Sequence, residues 1–203
     1  MTTTATQRIQ ITPRPALPTN LGCAGRRRIL VVAGLIAATL IAAVALIAAV
    51  TRVAFAAQAR GWLGYRFPGV PARPDTAVII FTHNVIALSG VLGLLLIAQL
   101  AAHTADGPGR VQRAVQAGGD LILAAAVAAN TLVVGVAIGA YGTRMVGAVL
   151  PHGPVELAAF TLAIALYLHS RRQTLPARQI AATITSCVAL LAVAAVLETF
   201  VNV

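Results

Sequence analysis

The residues of this chain that could do chemistry are few, and one pair stands out by its spacing. The 203 residues include five acidic residues, four histidines and two cysteines. His152 and Glu156 are four residues apart, so on a helix they share a face. A histidine and a carboxylate in that arrangement could move a proton or ligate a metal. The sequence between them, His-Gly-Pro-Val-Glu, lacks the second histidine of the His-Glu-x-x-His zinc motif.

No recognised catalytic, cofactor or metal motif is formed around that pair. A metal site needs three or four ligands, and only His83 and Glu198 are available as further candidates. Cys23 and Cys187 belong to no Cys-x-x-Cys motif, and small apolar packing residues are the simpler interpretation of both. We therefore predict that the protein is not an enzyme and holds no cofactor or metal ion.

The amino-acid composition indicates that part of this protein is surrounded by lipid. Hydrophobic residues make up 59% of the chain and charged residues only 10%, and the mean hydropathy is +0.87. Soluble domains carry roughly a quarter charged residues, so a soluble core could not bury this much apolar surface. The net charge of +10 comes from arginine alone. No basic face with interleaved aromatic residues appears, which argues against nucleic acid as a partner and leaves membrane lipids as the expected one.

Apolar runs predict an all-α fold, a polytopic transmembrane helical bundle of about five spans. The first run, 29–50, would extend about 33 Å as a helix, enough to cross a bilayer. A cleaved signal peptide is the alternative, but its apolar core would be only about 7–15 residues long. Residues 1–28, rich in Thr, Pro and Arg, are predicted to be a disordered cytoplasmic tail. The predicted spans of the transmembrane domain 29–203 are 29–50, 77–102, 121–141, 152–168 and 179–203.

The segments between the spans indicate the orientation. Segment 51–75 carries closely spaced Gly and Pro, which excludes a long helix, and its Trp62 and Tyr65 are typical of the lipid headgroup level. Ten of the fifteen arginines lie in segments predicted to be on the same side of the membrane as the N-terminus. Arg28 directly precedes the first span. The positive-inside rule therefore predicts a cytoplasmic N-terminus and an outer C-terminus.

Alternating span directions bring the intramembrane polar residues towards one leaflet. His83 and Asn84 lie near the start of span two, and His152 and Glu156 lie at the start of span four. Glu198 lies near the end of span five, and Asn130 lies nearer the middle of span three. Ionisable residues within a membrane are costly and often functional. The predicted intramembrane polar cluster consists of His83, Asn84, Asn130, His152, Glu156 and Glu198.

Each member of this cluster also has a simpler interpretation. Glu156 falls in the first turns of a helix, where the helix dipole favours a carboxylate. Glu198 could reach the membrane surface from the last turns of its span. Asn84 and Asn130 could be inter-helix hydrogen bonds, each contributing about 1 kcal/mol or less. Taken jointly, two intramembrane carboxylates could share a proton, bind a cation or lock the bundle.

Four segments resemble the stage II sporulation protein M family. Segment 151–157, Pro-His-Gly-Pro-Val-Glu-Leu, resembles that family's Pro-His-Gly signature followed by Glu-Leu, and the likeness covers about 77–203. The other three segments are Phe81-Thr82-His83-Asn84 at the start of an early span, Asn130 with Gly135 and Gly139 in a middle span, and Leu197-Glu198-Thr199-Phe200-Val201 at the end of the last span.

The resemblance implies a bacterial inner-membrane protein that is not itself catalytic. In spore formers the named member helps to remodel septal peptidoglycan together with peptidoglycan hydrolases, whereas many relatives come from bacteria that make no spores. We therefore expect a membrane scaffold or assembly partner with a protein partner in the membrane or cell envelope. Sporulation itself does not follow, because the arginine-rich tail and compact loops depart from the family. Whether copies of the chain form a homo-oligomer stays open.

Two other functions compete with this expectation. The alternative is a transporter or channel component that uses Glu156 and Glu198 as a proton or cation site. Five spans cannot form two equal inverted halves, which weakens the common transporter plan. An intramembrane enzyme with His152 and Glu156 as acid–base or metal groups is the least favoured. A metal site needs three or four ligands, and His83 and Glu198 are the only further candidates.

Overall fold

Helices make up the architecture of the part of the chain that the computed structural model describes, residues 20–65, 71–102, 109–172 and 175–201. These ranges contain no strand, and the predicted all-α class is confirmed. The seven helices are α1 Asn20–Ala54, α2 Ala56–Leu63, α3 Pro74–Ala102, α4 Arg110–Tyr141, α5 Thr143–Val149, α6 Gly153–Ser170 and α7 Ala177–Phe200.

Five of these helices, α1, α3, α4, α6 and α7, are long and apolar enough to cross a membrane. They overlap the five predicted spans. A helix suits this role because it pairs its backbone N–H and C=O groups within itself, which hydrocarbon requires. Large apolar side chains remain exposed along them, among them Leu35 and Leu46 of α1, Ile86 of α3 and Ile122 of α4. Such surfaces suit lipid, and the chain is a multi-pass membrane protein.

The first membrane helix begins earlier than predicted. α1 begins at Asn20, so the predicted disordered tail, 1–28, is wrong where it overlaps this helix. The remainder of that prediction lies outside the described residues. No proline occurs between Pro18 and Pro68, and arginine is a good helix former. The helix of the first span therefore continues back through the arginine run.

Segments predicted as loops also contain helix. α4 begins at Arg110, well before the predicted start of its span, and α2 and α5 are short helices beside the membrane spans. Gly64 ends α2 and Gly142 separates α4 from α5, at φ of 59° and 62°, values that glycine adopts without a steric penalty. The amide of Tyr65 donates a hydrogen bond to the Tyr141 hydroxyl at 3.0 Å, which joins the end of α2 to the end of α4.

The central helix of the bundle is α6, which contacts α1, α3 and α7. α4 packs mainly on α1 and α2 instead. Small and medium side chains dominate the buried residues of α6, namely Ala159, Thr161, Ala163, Ala165, Leu166, Tyr167 and Ser170. We call the end of the bundle where α6 begins the cluster end, and the end where α6 finishes the arginine end.

α1 and α4 approach closely through two glycines of α4. A Cβ atom added to Gly139 would lie 2.5 Å from the carbonyl oxygen of Ala48 and 2.6 Å from Cβ of Thr51. A Cβ atom added to Gly135 would lie 2.7 Å from Cβ of Ile47. Glycines four residues apart let two backbones meet, and membrane helices commonly associate in this way.

Candidate functional site

The cluster end is organised by the turn that opens α6. His152 is the residue before the helix, and Pro154 lies in its first turn, where the missing proline N–H has no helical partner to lose. The amides of Val155 and Glu156 donate to the His152 carbonyl oxygen at 3.0 and 3.1 Å. The turn thus fixes His152 and Glu156 at the same helix start, with the Glu156 carboxylate near the positive end of the helix dipole.

Glu156 joins α6 to α3 through a side-chain hydrogen bond. Nδ2 of Asn84 donates to Oε1 of Glu156 at 2.5 Å, and the bond is partly buried. Asn84 lies ten residues inside α3, so roughly 15 Å of that helix extends beyond the bond at 1.5 Å per residue. The start of α6 is therefore recessed relative to the start of α3.

His152 and Glu198 join the same site from α6 and α7. Nε2 of His152 lies 3.9 Å from Oε2 of Glu198, and the two side chains are 14% and 27% exposed. Both His152 and Glu198 lie close enough to interact electrostatically with Glu156. Nδ1 of His152 is buried and has no hydrogen-bond partner among the described residues.

The structure brings together four of the six predicted cluster residues and leaves out two. Asn84, His152, Glu156 and Glu198 meet across α3, α6 and α7. Asn130 is exposed, and its Nδ2 donates to the Ala126 carbonyl oxygen of its own helix at 2.9 Å. Its assignment to the cluster is wrong because α4 packs on α1 rather than on α7. His83 is exposed as well, because adjacent residues of a helix point about 100° apart.

The chemistry open to the four residues that meet is proton sharing, cation binding or structural locking. Two carboxylates, one amide donor and one imidazole meet where α3, α6 and α7 come together. Within the described ranges, no group of three or more His, Cys, Asp or Glu is arranged to hold a metal ion.

The Asn84–Glu156 bond should appear as an energetic coupling. In a double-mutant cycle with Asn84→Ala and Glu156→Ala, we expect a coupling of about 0.6–1.7 kcal/mol, the range found for hydrogen bonds between membrane helices. The measurement is the free energy of unfolding in mixed detergent micelles. Asn130→Ala paired with Glu156→Ala is the control, since Asn130 bonds within its own helix. Equal couplings in the two cycles would contradict the assigned bond.

A second polar group, which the sequence pattern does not predict, lies at the arginine end. The hydroxyl of the buried Tyr167 donates to Oδ1 of Asp120 at 2.6 Å, and Arg171 forms a charge-assisted bond with Oδ2 of Asp120. These contacts tie α4 to the end of α6. The sequence signal for this group is an acidic residue directly before an apolar run, but a third span predicted to begin at residue 121 leaves Asp120 outside the helix.

Comparison of the chain with protein-family models, with curated proteins and with solved structures finds no match.

Proposed function

We propose that this chain is a scaffold or assembly partner of a bacterial inner membrane, related to the stage II sporulation protein M family and not itself catalytic. The observation that carries the proposal is the meeting of Asn84, His152, Glu156 and Glu198. These residues come from three of the four segments that carry the family resemblance, and they lie far apart in sequence. Shared motif residues that meet in space are expected of a common functional element rather than of chance likeness.

The contacts of α6 support a locking role for this cluster. At the cluster end, Glu156 bonds to α3 and His152 lies beside Glu198 of α7. At the arginine end, Tyr167 and Arg171 bond to Asp120 of α4. The central helix is thus held by polar contacts at both ends. Polar contacts between membrane helices specify which faces meet, because apolar packing against lipid and against protein is similarly favourable.

The outer surfaces of the bundle support a role in association. α1 and α4 are the least enclosed spans, because only 11% of the most apolar 18-residue stretch of each is buried within the described chain. Exposed apolar side chains continue along both, including Val31 and Ile41 on α1 and Leu121 and Leu132 on α4. A membrane partner could add a helix to either surface without disturbing the cluster.

Partner recruitment in the cell tests the proposal. The full-length chain carrying both Glu156→Gln and Glu198→Gln should reach the membrane at the normal level yet recover its crosslinked partners about tenfold less well, the effect of roughly 1.4 kcal/mol. Quantitative mass spectrometry of crosslinked pull-downs measures this. Asp75→Asn is the matched control, because Asp75 is an exposed carboxylate at the start of α3 and lies outside the cluster.

Two results would contradict a scaffold built around this cluster. Unchanged folding, membrane level and recruitment in the double variant would leave the cluster without a function. A proton or cation flux into vesicles that contain the wild-type protein, abolished by Glu156→Gln, would instead establish the transport alternative. The observation that favours the transport alternative is the buried Nδ1 of His152, which has no hydrogen-bond partner among the described residues.

A further inference from the structure

A cavity at the arginine end lies between α1 and α6 and has a strongly basic wall. Its volume is about 380 Å³, and Arg28, His169, Arg171 and Arg172 line it. Sites for small ligands commonly occupy about 300–1,000 Å³. Arg28 and Arg172 both lie close enough to His169 to act on it electrostatically. The cavity is therefore large enough for a phosphate-bearing group, and its charge is suited to an anion.

The positive charge of this cavity is only partly balanced from within. Arg171 is paired with Asp120, which holds its guanidinium in position. Arg28 and Arg172 are exposed, and in the described ranges no carboxylate lies within ion-pairing distance of either. Two cationic side chains, each with several N–H donors, thus face a cavity that contains no compensating acid among the described residues.

The rest of the lining is apolar and belongs to membrane helices. Ile29 and Val32 of α1 and Ala165 and Leu168 of α6 complete the cavity. Both helices are membrane spans, and the basic residues sit at the start of the first and the end of the second. A soluble anion would require only the basic wall. A phospholipid requires basic groups at headgroup level with apolar surface directly beneath them, and this combination is present.

We propose that this cavity binds the headgroup phosphate of an anionic phospholipid, with Arg28 and Arg172 as the phosphate ligands and Arg171 beside them. Guanidinium groups suit this role because they donate paired, charge-assisted hydrogen bonds to phosphate oxygens. The apolar lining of α1 and α6 then contacts the glycerol and upper acyl chain. The site lies at the opposite end of the bundle from the Glu156 cluster, so it is independent of the scaffold proposal.

Native mass spectrometry of the full chain in detergent micelles doped with phosphatidylglycerol tests this site. Wild type should retain one phosphatidylglycerol molecule. Arg28→Gln with Arg172→Gln should raise the phosphatidylglycerol concentration for half-occupancy by roughly 25-fold, about fivefold for the hydrogen bonding to phosphate that is lost with each arginine. Arg27→Gln with Arg178→Gln is the control of equal charge change, because both arginines are exposed at the same end and neither lines the cavity. The control should shift half-occupancy by less than about threefold, the weaker effect of a distant screened charge.

Three outcomes would overturn the proposal. An equal shift in the control pair would mean that general surface charge, not this cavity, attracts the lipid. Retention of phosphatidylcholine as readily as phosphatidylglycerol would remove the selectivity for an anion. Displacement of the lipid by inorganic phosphate at similar concentration would identify a free-phosphate site instead. The thermal unfolding temperature of both double variants should equal that of wild type, which shows that all three proteins are folded when lipid binding is compared.

Discussion

Gly139→Leu is expected to destabilise the protein by about 3 kcal/mol, at the upper end of the usual cost of overpacking. The neighbours of Gly139 are the Ala48 carbonyl oxygen at 2.5 Å and Thr51 Cβ at 2.6 Å from an added Cβ atom. One of these is backbone and the other is the stem of a buried residue, so neither can turn away. Accommodating leucine requires α1 and α4 to separate, which loses the van der Waals contact that associates helices in lipid.

The matched control for this variant is Gly118→Leu in the same helix. No atom lies within 4 Å of a Cβ added to Gly118, so leucine there meets open space and gains helix propensity of about 1 kcal/mol. Thermal unfolding in detergent should therefore separate the two variants clearly, with Gly118→Leu equal to or more stable than wild type. Similar losses from both variants would show that α1 and α4 do not meet through Gly139.

Asp120→Ala is expected to cost about 2 kcal/mol, because it removes a charged acceptor from a buried hydroxyl. Hydrogen bonds to charged groups contribute about 1.5–3 kcal/mol, and Tyr167 is only 1% exposed. The ion pair with Arg171 adds less, since both partners are about one-third exposed and such pairs contribute about 0–1 kcal/mol. Free energies of unfolding should rank Asp120→Ala as most costly, Tyr167→Phe next and Arg171→Gln least.

Asp120→Asn provides the control for this ranking. The asparagine side chain keeps an oxygen that can accept the Tyr167 hydroxyl bond, so most of the stability should return. A loss from Arg171→Gln as large as that from Asp120→Ala would contradict the ranking. In that case the ion pair, and not the tyrosine bond, would be the main link between α4 and α6.

Much of the cluster could be predicted from residue positions along the spans. Successive membrane helices alternate in direction, so the order of the spans predicts that Asn84, His152, Glu156 and Glu198 lie in one leaflet. In the structure these four residues meet. The position of a residue along a span predicts its depth in the membrane. It does not predict the direction in which the side chain points around the helix axis. The prediction that Asn130 belongs to the cluster is therefore wrong, because its side chain bonds to the backbone of its own helix.

Which helix faces which neighbour could not be predicted from hydrophobicity. In a soluble helix the apolar face marks the core. In a membrane helix both the lipid-facing and the protein-facing sides are apolar, so the pattern does not separate them. The central role of α6 and the contact of α4 with α1 became visible only through small residues and polar contacts, such as Gly139 and Tyr167.

The early starts of α1 and α4 have a related cause. Hydropathy marks the length of a helix that lipid covers, whereas the helix itself continues for as long as propensity permits. The arginine run before the first span and the segment after Arg110 contain no proline, and both remain helical beyond the apolar stretch. For that reason hydropathy alone places Asp120 outside the third span and does not predict its bond to Tyr167.

The sequence by itself determined that the chain is all-α and that it spans a membrane about five times. It also determined that Asn84, His152, Glu156 and Glu198 lie at a similar depth in the membrane. Hydrocarbon leaves the backbone no hydrogen-bond partner except itself, so long apolar runs have to be helices. Tertiary structure decided that α6 is central, that four polar residues meet while Asn130 and His83 do not, and that Arg28 and Arg172 face one cavity. These features depend on rotation about the helix axes, which close contacts such as those of Gly139 specify and which apolar composition leaves open.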